Sequence, residues 1–334
     1  MLTAIAAIFV FLLVVVIHEG GHFSVAKLVG IKVNEFAIGM GPKLFQKRKG
    51  ETVYTIRALP IGGYVKMEGE DEDSDDPRGF SKVSVWSRIA VVSAGAIMNF
   101  VLAIVVLSIV AFSLGLPTTT IEEVLVDSPA MEYGVLPGDK IISIDGVEIS
   151  EWNEIVETIN SSETSKALDI KVQRDGEIIS LQVKPVLDDE RVVIGIVPRS
   201  EKSFFKSIEA GFKDTWHFLK LMFNFIAMLF QGKVSTNDLA GPIGVINEIG
   251  NQAKVGFLNL LYILGFISVN LGFFNLLPIP ALDGSRIVFL LIEAIRGKPV
   301  DPKKEGFIHF LGFVFLISLM LLVTYKDIIR INLF

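Results

Sequence analysis

The sequence has no cysteine among its 334 residues, which excludes disulfides and thiolate metal sites and leaves histidine and carboxylate as the side chains able to hold a metal. Histidine is itself scarce, with four in the chain, so any two at ligand spacing stand out. An excess of positive charge is also missing. The 31 Lys and Arg against 37 Asp and Glu give a formal net charge of −6, and a chain without a basic field offers nothing to a phosphate backbone. Nucleic acid is therefore not expected as a partner. The first apolar run lacks the basic flank and the small-residue cleavage site of a removable signal peptide, so it is expected to be retained. Charged residues make up 20% of the chain and hydrophobic ones 51%. With a mean hydropathy of +0.55, that balance predicts a polytopic membrane protein.

Four apolar runs are long enough to cross a hydrocarbon core at about 1.5 Å per residue: Leu2 to Leu28, Ile89 to Leu116, Gly256 to Leu277 and Phe307 to Tyr325. In Phe204 to Phe230, Lys206, Glu209, Lys213, Asp214, His217 and Lys220 interrupt the pattern, which suggests an amphipathic interfacial helix, a fifth span being the alternative. Lysines and arginines crowd the loops between the first two and the last two spans, so both loops are expected to be cytoplasmic and the long 117–255 region outside. Val33 to Met67, with Thr52-Val53-Tyr54-Thr55-Ile56-Arg57 alternating and glycines at Gly50 and Gly62-Gly63, is hairpin-like. The acidic run Glu68 to Asp76 is a solvated loop.

The expected fold class is thus a polytopic α-helical membrane protein with about four transmembrane helices, a membrane-associated β-hairpin region and one inserted α+β domain. In order these are a first transmembrane helix over 1–28, a cytoplasmic-side hairpin region and acidic loop over 29–86, a second helix over 87–116 and the inserted domain over 117–200. Interfacial helices and a glycine–proline linker follow over 201–255, then a third transmembrane helix over 256–292, a cytoplasmic loop over 293–306 and a fourth helix over 307–328.

His18 and His22 are four residues apart, which on a helix turns both rings to one face, and Glu19 between them is placed to act as general base toward water on a metal. Read alone, the same residues also fit a polar helix end near the interface. Asp283 can be a buried carboxylate in need of a cation or a helix N-cap. Pro278 and Pro280 forbid regular helix just before it, and irregular backbone at membrane depth needs protein or a water-filled cavity around it. Asn275 offers an amide to a substrate backbone, or simply joins two helices. His217 and His309 lack a partner ligand at helical spacing and are read as structural or interfacial.

Ser128-Pro129-Ala130, Gly134, Leu136-Pro137-Gly138-Asp139-Lys140-Ile141 and Ile144-Asp145-Gly146 resemble a PDZ domain of the bacterial protease type, with a helix at Trp152 to Ile159. Together with His18-Glu19-Gly20-Gly21-His22 and Asn275-Leu276-Leu277-Pro278-Ile279-Pro280-Ala281-Leu282-Asp283-Gly284, they make the chain resemble the site-2 protease family of intramembrane zinc metalloproteases, in its bacterial regulator-of-sigma-E protease group. Gly39-Met40-Gly41-Pro42, Pro60 to Met67, Ser84-Val85-Trp86 and Gly241-Pro242-Ile243-Gly244 extend the likeness over nearly the whole chain in order. The chain departs from the family in having a single PDZ-like domain, where some members carry two, and Ala96 where proline is frequent.

The resemblance implies one Zn2+ per chain held by His18, His22 and Asp283, with Glu19 as catalytic base and Asn275, Pro278 and Pro280 in the substrate-binding stretch. It implies a multi-pass protein of the bacterial cell membrane, with its active site toward the cytoplasm and the PDZ-like domain outside. Its substrates would be single-pass membrane proteins in the lipid bilayer, pre-cleaved by a site-1 protease: anti-sigma factors, signal-peptide remnants or pheromone precursors, cut within the membrane in regulated intramembrane proteolysis. The rivals are a catalytically idle PDZ-containing scaffold and a different membrane metalloenzyme or transporter, and the intact Glu19 argues against both.

Overall fold

The computed structural model describes residues 1–70, 74–188, 191–233 and 240–330. In chain order the elements are α1 (Leu2–Leu28), β1 (Val33–Lys49), β2 (Thr52–Met67), a single 3-10 turn at Phe80–Lys82 and α2 (Val85–Leu114). Next come β3 (Leu116–Val124), α3 (Pro129–Glu132), β4 (Lys140–Ile144), β5 (Val147–Glu148), α4 (Trp152–Asn160), β6 (Leu168–Arg174) and β7 (Glu177–Val183). They continue through β8 (Val186–Asp188), β9 (Arg191–Val193), β10 (Ile196–Glu201) and α5 (Phe204–Phe230). The last are α6 (Pro242–Val255), α7 (Phe257–Leu276), α8 (Asp283–Arg296) and α9 (Pro302–Arg330). They divide into two compact units, one of Met1–Val110 with Ile208–Phe334 and one of Ala111–Ser207.

In the first unit α1, α2, α7 and α9 are long and apolar enough to cross a membrane, matching the four expected spans. Apolar side chains alone do not hold helices together in lipid, where small residues that admit close backbone approach take over. A Cβ at Gly21 would lie 2.4 Å from the Ala94 carbonyl oxygen, and one at Gly272 would lie 2.9 Å from that of Ala96. Ala6, Val10 and Val14 of α1 are buried with Ile249 of α6 and Leu264 of α7, so α6 is part of the helical core. Its start follows from the sequence: Pro242 is at the first helical position, where its missing N–H costs nothing.

Three segments differ from expectation. The predicted third helix over 256–292 breaks into α7 and α8 across Leu277–Leu282, because Pro278 and Pro280 cannot continue α7. The predicted loop over 293–306 shrinks to 297–301: Gly297 ends α8 in a left-handed conformation, φ +71°, and Pro302 opens α9. α5 packs into a groove of the helical unit by one face. Gly211, Thr215 and Phe218 recur on one face and are buried, with Gly211 against Ile104 and Ser108 of α2 and the Phe223 ring 5.0 Å from Phe273 of α7. Lys206, Glu209, Lys213 and Lys220 face outward. In the 201–255 stretch, residues 234–239 lie outside the described residues, as do 71–73 of the acidic run.

β1 and β2 form more than a simple hairpin. Glu35 pairs with both Val53 and Lys66, Phe36 with both Tyr54 and Val65, and Lys47 with Tyr54. The 33–38 run is therefore flanked by 53–56 and 63–67, and 53–56 is flanked in turn by 43–49. Val53–Ile56, the alternating stretch most strand-like in the sequence, is interior, and the outer runs are 43–49 and 63–67.

The second unit is the sheet β10-β3-β4-β6-β7 with β5 beside β4, built around Ile121, Ile141, Ile144, Leu168, Ile170 and Val172. α4 closes it with Ile155 and Ile159, four residues apart on its inner face. Asp139 of the Leu-Pro-Gly-Asp turn is fully buried and bidentate with Arg174, at 2.7 and 2.8 Å. The small sheet with a helix expected here is what forms.

Candidate metal centre

His18 and His22 lie one turn apart on α1 with their Nε2 atoms 3.3 Å from each other. Asp283, the first residue of α8, brings Oδ2 to 3.3 Å from His18 Nε2 and 3.4 Å from His22 Nε2. Ligands about 2.0–2.1 Å from a tetrahedral ion sit about 3.3 Å from one another. The three atoms are thus spaced as three corners of such a shell, with the fourth corner left for water or substrate. A second observation points to a cation: Asp283 Oδ2 is buried and accepts no hydrogen bond, a state a carboxylate oxygen rarely occupies unpaid. The residues fit a zinc ion.

The outer nitrogens of both rings are held by α2. His22 Nδ1 is 2.8 Å from the Val91 carbonyl, so Nδ1 carries the proton and donates it, leaving the Nε2 lone pair for the metal. His18 Nδ1 is 3.1 Å from the side-chain amide of fully buried Asn99, whose Oδ1 has no partner. With the amide turned over, Oδ1 accepts from His18 Nδ1–H and leaves the His18 Nε2 lone pair for a metal. Ser268 of α7 donates to the Asn99 carbonyl at 2.8 Å, which ties α2 to α7 at this level.

Val91, Gly95 and Asn99 form one stripe at four-residue spacing. A Cβ on Gly95 would fall 2.3 Å from His22 Nε2 and 2.8 Å from His18 Cε1, so only glycine leaves the rings their space. The sequence shows Gly95 and Asn99 as small or polar breaks in an apolar span, and their spacing is the signal that marks them as facing the histidines.

Glu19 is half-buried on the same turn. Gly63 of β2 lies over it, since a Cβ there would be 3.0 Å from Glu19 Cγ. Asn275, near the end of α7, places Nδ2 3.5 Å from His18 Nε2, so it joins the ligand cluster's margin. The two prolines do not reach it. Pro278 is exposed, and Pro280 lies against Gly312 of α9; both shape the 277–282 turn. A cleft of about 450 Å³, lined by Glu70, Asp283, Arg286 and His309 among others, opens beside Asp283. His309, with no partner ligand at helical spacing, accepts the Ala281 N–H at 3.1 Å.

The profile of Peptidase family M50 matches residues 6–319. A zinc-metalloprotease-named protein of Clostridium acetobutylicum is 40% identical over 331 residues, covering 97% of each chain. The regulator of sigma-W protease RasP of Bacillus subtilis is 33% identical over 417 aligned positions, covering 98% of this chain and 99% of that one. Among solved structures, a Listeria innocua PDZ domain aligns with 26% of this chain and 99% of its own, at 24% identity and a TM-score of 0.23.

Proposed function

The chain belongs to peptidase family M50 and is a membrane zinc metalloprotease, and we propose that His18, His22 and Asp283 hold its zinc while Glu19 is the catalytic base. The observation that carries this reading is the 3.3–3.4 Å triangle of Nε2, Nε2 and Oδ2. Zinc, when bound, acts as a Lewis acid on the scissile carbonyl and makes water a nucleophile near neutral pH. Glu19 takes the proton from the attacking water and returns it to the departing amine. The Asn275 amide donates to the carbonyl oxygen as negative charge builds on it. Val91 and Asn99 hold the imidazoles in the tautomer that presents Nε2.

A peptide bond in a helix is shielded, so the substrate must be held extended. The run Gly63–Met67 supports this role: it is an outer strand of the β element, and among the described residues no strand pairs with its far side. Gly63 lies over Glu19. A substrate strand added along that edge would pass the base. Pro278 and Pro280 would serve the substrate indirectly, by keeping the 277–282 backbone out of a helix.

The substrate class is single-pass membrane proteins, among them anti-sigma factors, signal-peptide remnants and pheromone precursors, trimmed first by a site-1 protease. The name of the sigma-W regulator relative and the charge pattern of the loops support that class and a cytoplasm-facing site, with a PDZ-like Ala111–Ser207 unit outside the bacterial cell membrane. The test is reconstitution with a model single-span substrate. Glu19→Gln is expected to lower cleavage by about 10²–10⁴-fold with zinc content unchanged. Equal cleavage by the two proteins would sink the assignment of the base.

A further inference from the structure

The turn that delivers Asp283 is under conformational load. Ala281 has φ +77°, one of four non-glycine residues with positive φ among those described, and this left-handed region penalises any residue with a Cβ. A strained backbone persists only where its surroundings over-determine it. Here the surroundings come from α9. His309 Nδ1 accepts the Ala281 N–H at 3.1 Å, and one turn further along, on the same face, Gly312 lies so close to Pro280 that a Cβ would fall 2.3 Å from the proline Cβ and 2.4 Å from its carbonyl oxygen.

The His309 ring is itself held. Phe289 of α8 lies with its ring 5.7 Å away, and Glu305 Oε1 is 3.8 Å from Nε2. With a backbone N–H fixed opposite Nδ1, the proton of the neutral ring belongs on Nε2, toward that carboxylate. Most neighbours on α9, such as Phe310, Phe313 and Phe315, are exposed. The His309–Gly312 face is where this helix meets the turn.

We propose that His309 is a positioning residue for the metal centre: by holding Ala281 in its left-handed conformation, it sets the direction in which Asp283 leaves the turn and so the spacing of Oδ2 from the two histidines. This rests on the reading of His18, His22 and Asp283 as zinc ligands. It predicts an effect on metal affinity from a side chain that touches neither metal nor substrate.

The test is zinc affinity of the full-length, detergent-purified, metal-stripped chain, measured by competition with a chromophoric chelator. His309→Phe, which keeps an aromatic ring beside Phe289 and removes the acceptor, is expected to weaken binding about tenfold, the low end of what outer-shell changes produce. His309→Asn, which restores an acceptor near the Nδ1 position, is expected to bind within about twofold of wild type. The discriminating variant is His309→Phe with Ala281→Gly, because glycine takes φ +77° without penalty; it is expected to recover most of the lost affinity. Unchanged affinity in His309→Phe would overturn the proposal, as would failure of Ala281→Gly to recover it, the loss then reflecting general loosening of α9. A wild-type chain without zinc affinity, or a Asp283→Ala chain that binds as tightly as wild type, would instead overturn the ligand assignment beneath it.

Discussion

A Cβ at Gly21 would meet the Ala94 carbonyl oxygen at 2.4 Å, whereas one at Gly20 meets nothing within 4 Å, although each glycine costs α1 about 1 kcal/mol of helix propensity against alanine. Gly20→Ala is therefore expected to raise thermal stability in detergent by about 1 kcal/mol with zinc content intact. Gly21→Ala should lower stability by forcing α1 from α2. Gly95→Ala drives a methyl into both imidazoles and is expected to abolish zinc binding, which metal analysis of the purified protein reads directly. Asn99→Ala should weaken zinc binding about 10–100-fold, as removal of outer-shell partners of ligating histidines does. The histidine pair was legible in the sequence because its geometry is local to one helix. That Asp283 comes to lie beside the two histidines was legible only through the family motif, since nothing in linear spacing tells where an aspartate at the start of a helix will point. Asn99 and Gly95 were visible but ambiguous: in a membrane span, polar and small residues serve helix packing too.

At the scale of elements, the Gly241-Pro242-Ile243-Gly244 motif is where α6 begins against α9. Buried Asp327 of α9 accepts from the Gly241 and Gly244 N–H groups at 3.1 and 2.8 Å, so a carboxylate takes up the unpaired donors at the start of α6. Asp327→Ala leaves them unpaired inside the fold and is expected to cost about 3 kcal/mol, read as a fall in the unfolding midpoint in detergent. Glu68, at the end of the β element, accepts from the Ser74 hydroxyl, the Asn34 amide and Lys32, and these hold its carboxyl down at about 2. A carboxyl depressed on folding stabilises above its ordinary value of about 4.3 and loses that contribution as pH falls toward 2. The difference in unfolding midpoint between wild type and Glu68→Gln should thus be full above pH 5 and shrink toward pH 2. The sequence marked this region as β, but not its order of runs: alternation reveals which residues share a face and is silent on which strand ends up between two others.

For the whole molecule, the four long apolar helices and the inserted sheet were legible from apolar run length and turn chemistry, because both follow from the solvent each segment must face. The course of α5 was not, because a helix with charges on one face and small residues on the other satisfies an interface and a helix groove equally. The second unit draws its apolar core from its own residues, Ile121 through Ile194. A fragment of residues 116–201 is accordingly expected to fold alone, giving a dispersed amide spectrum and a cooperative melt. Leu116 and Glu201, where that fragment would be cut, pair with each other across β3 and β10. Paired strands lie about 4.8 Å apart, so the two ends of that fragment lie side by side. A sheet whose ends meet in this way can be replaced, or doubled, without moving those ends apart. Such a unit can diverge in sequence as a cassette, with its own core and its own edges.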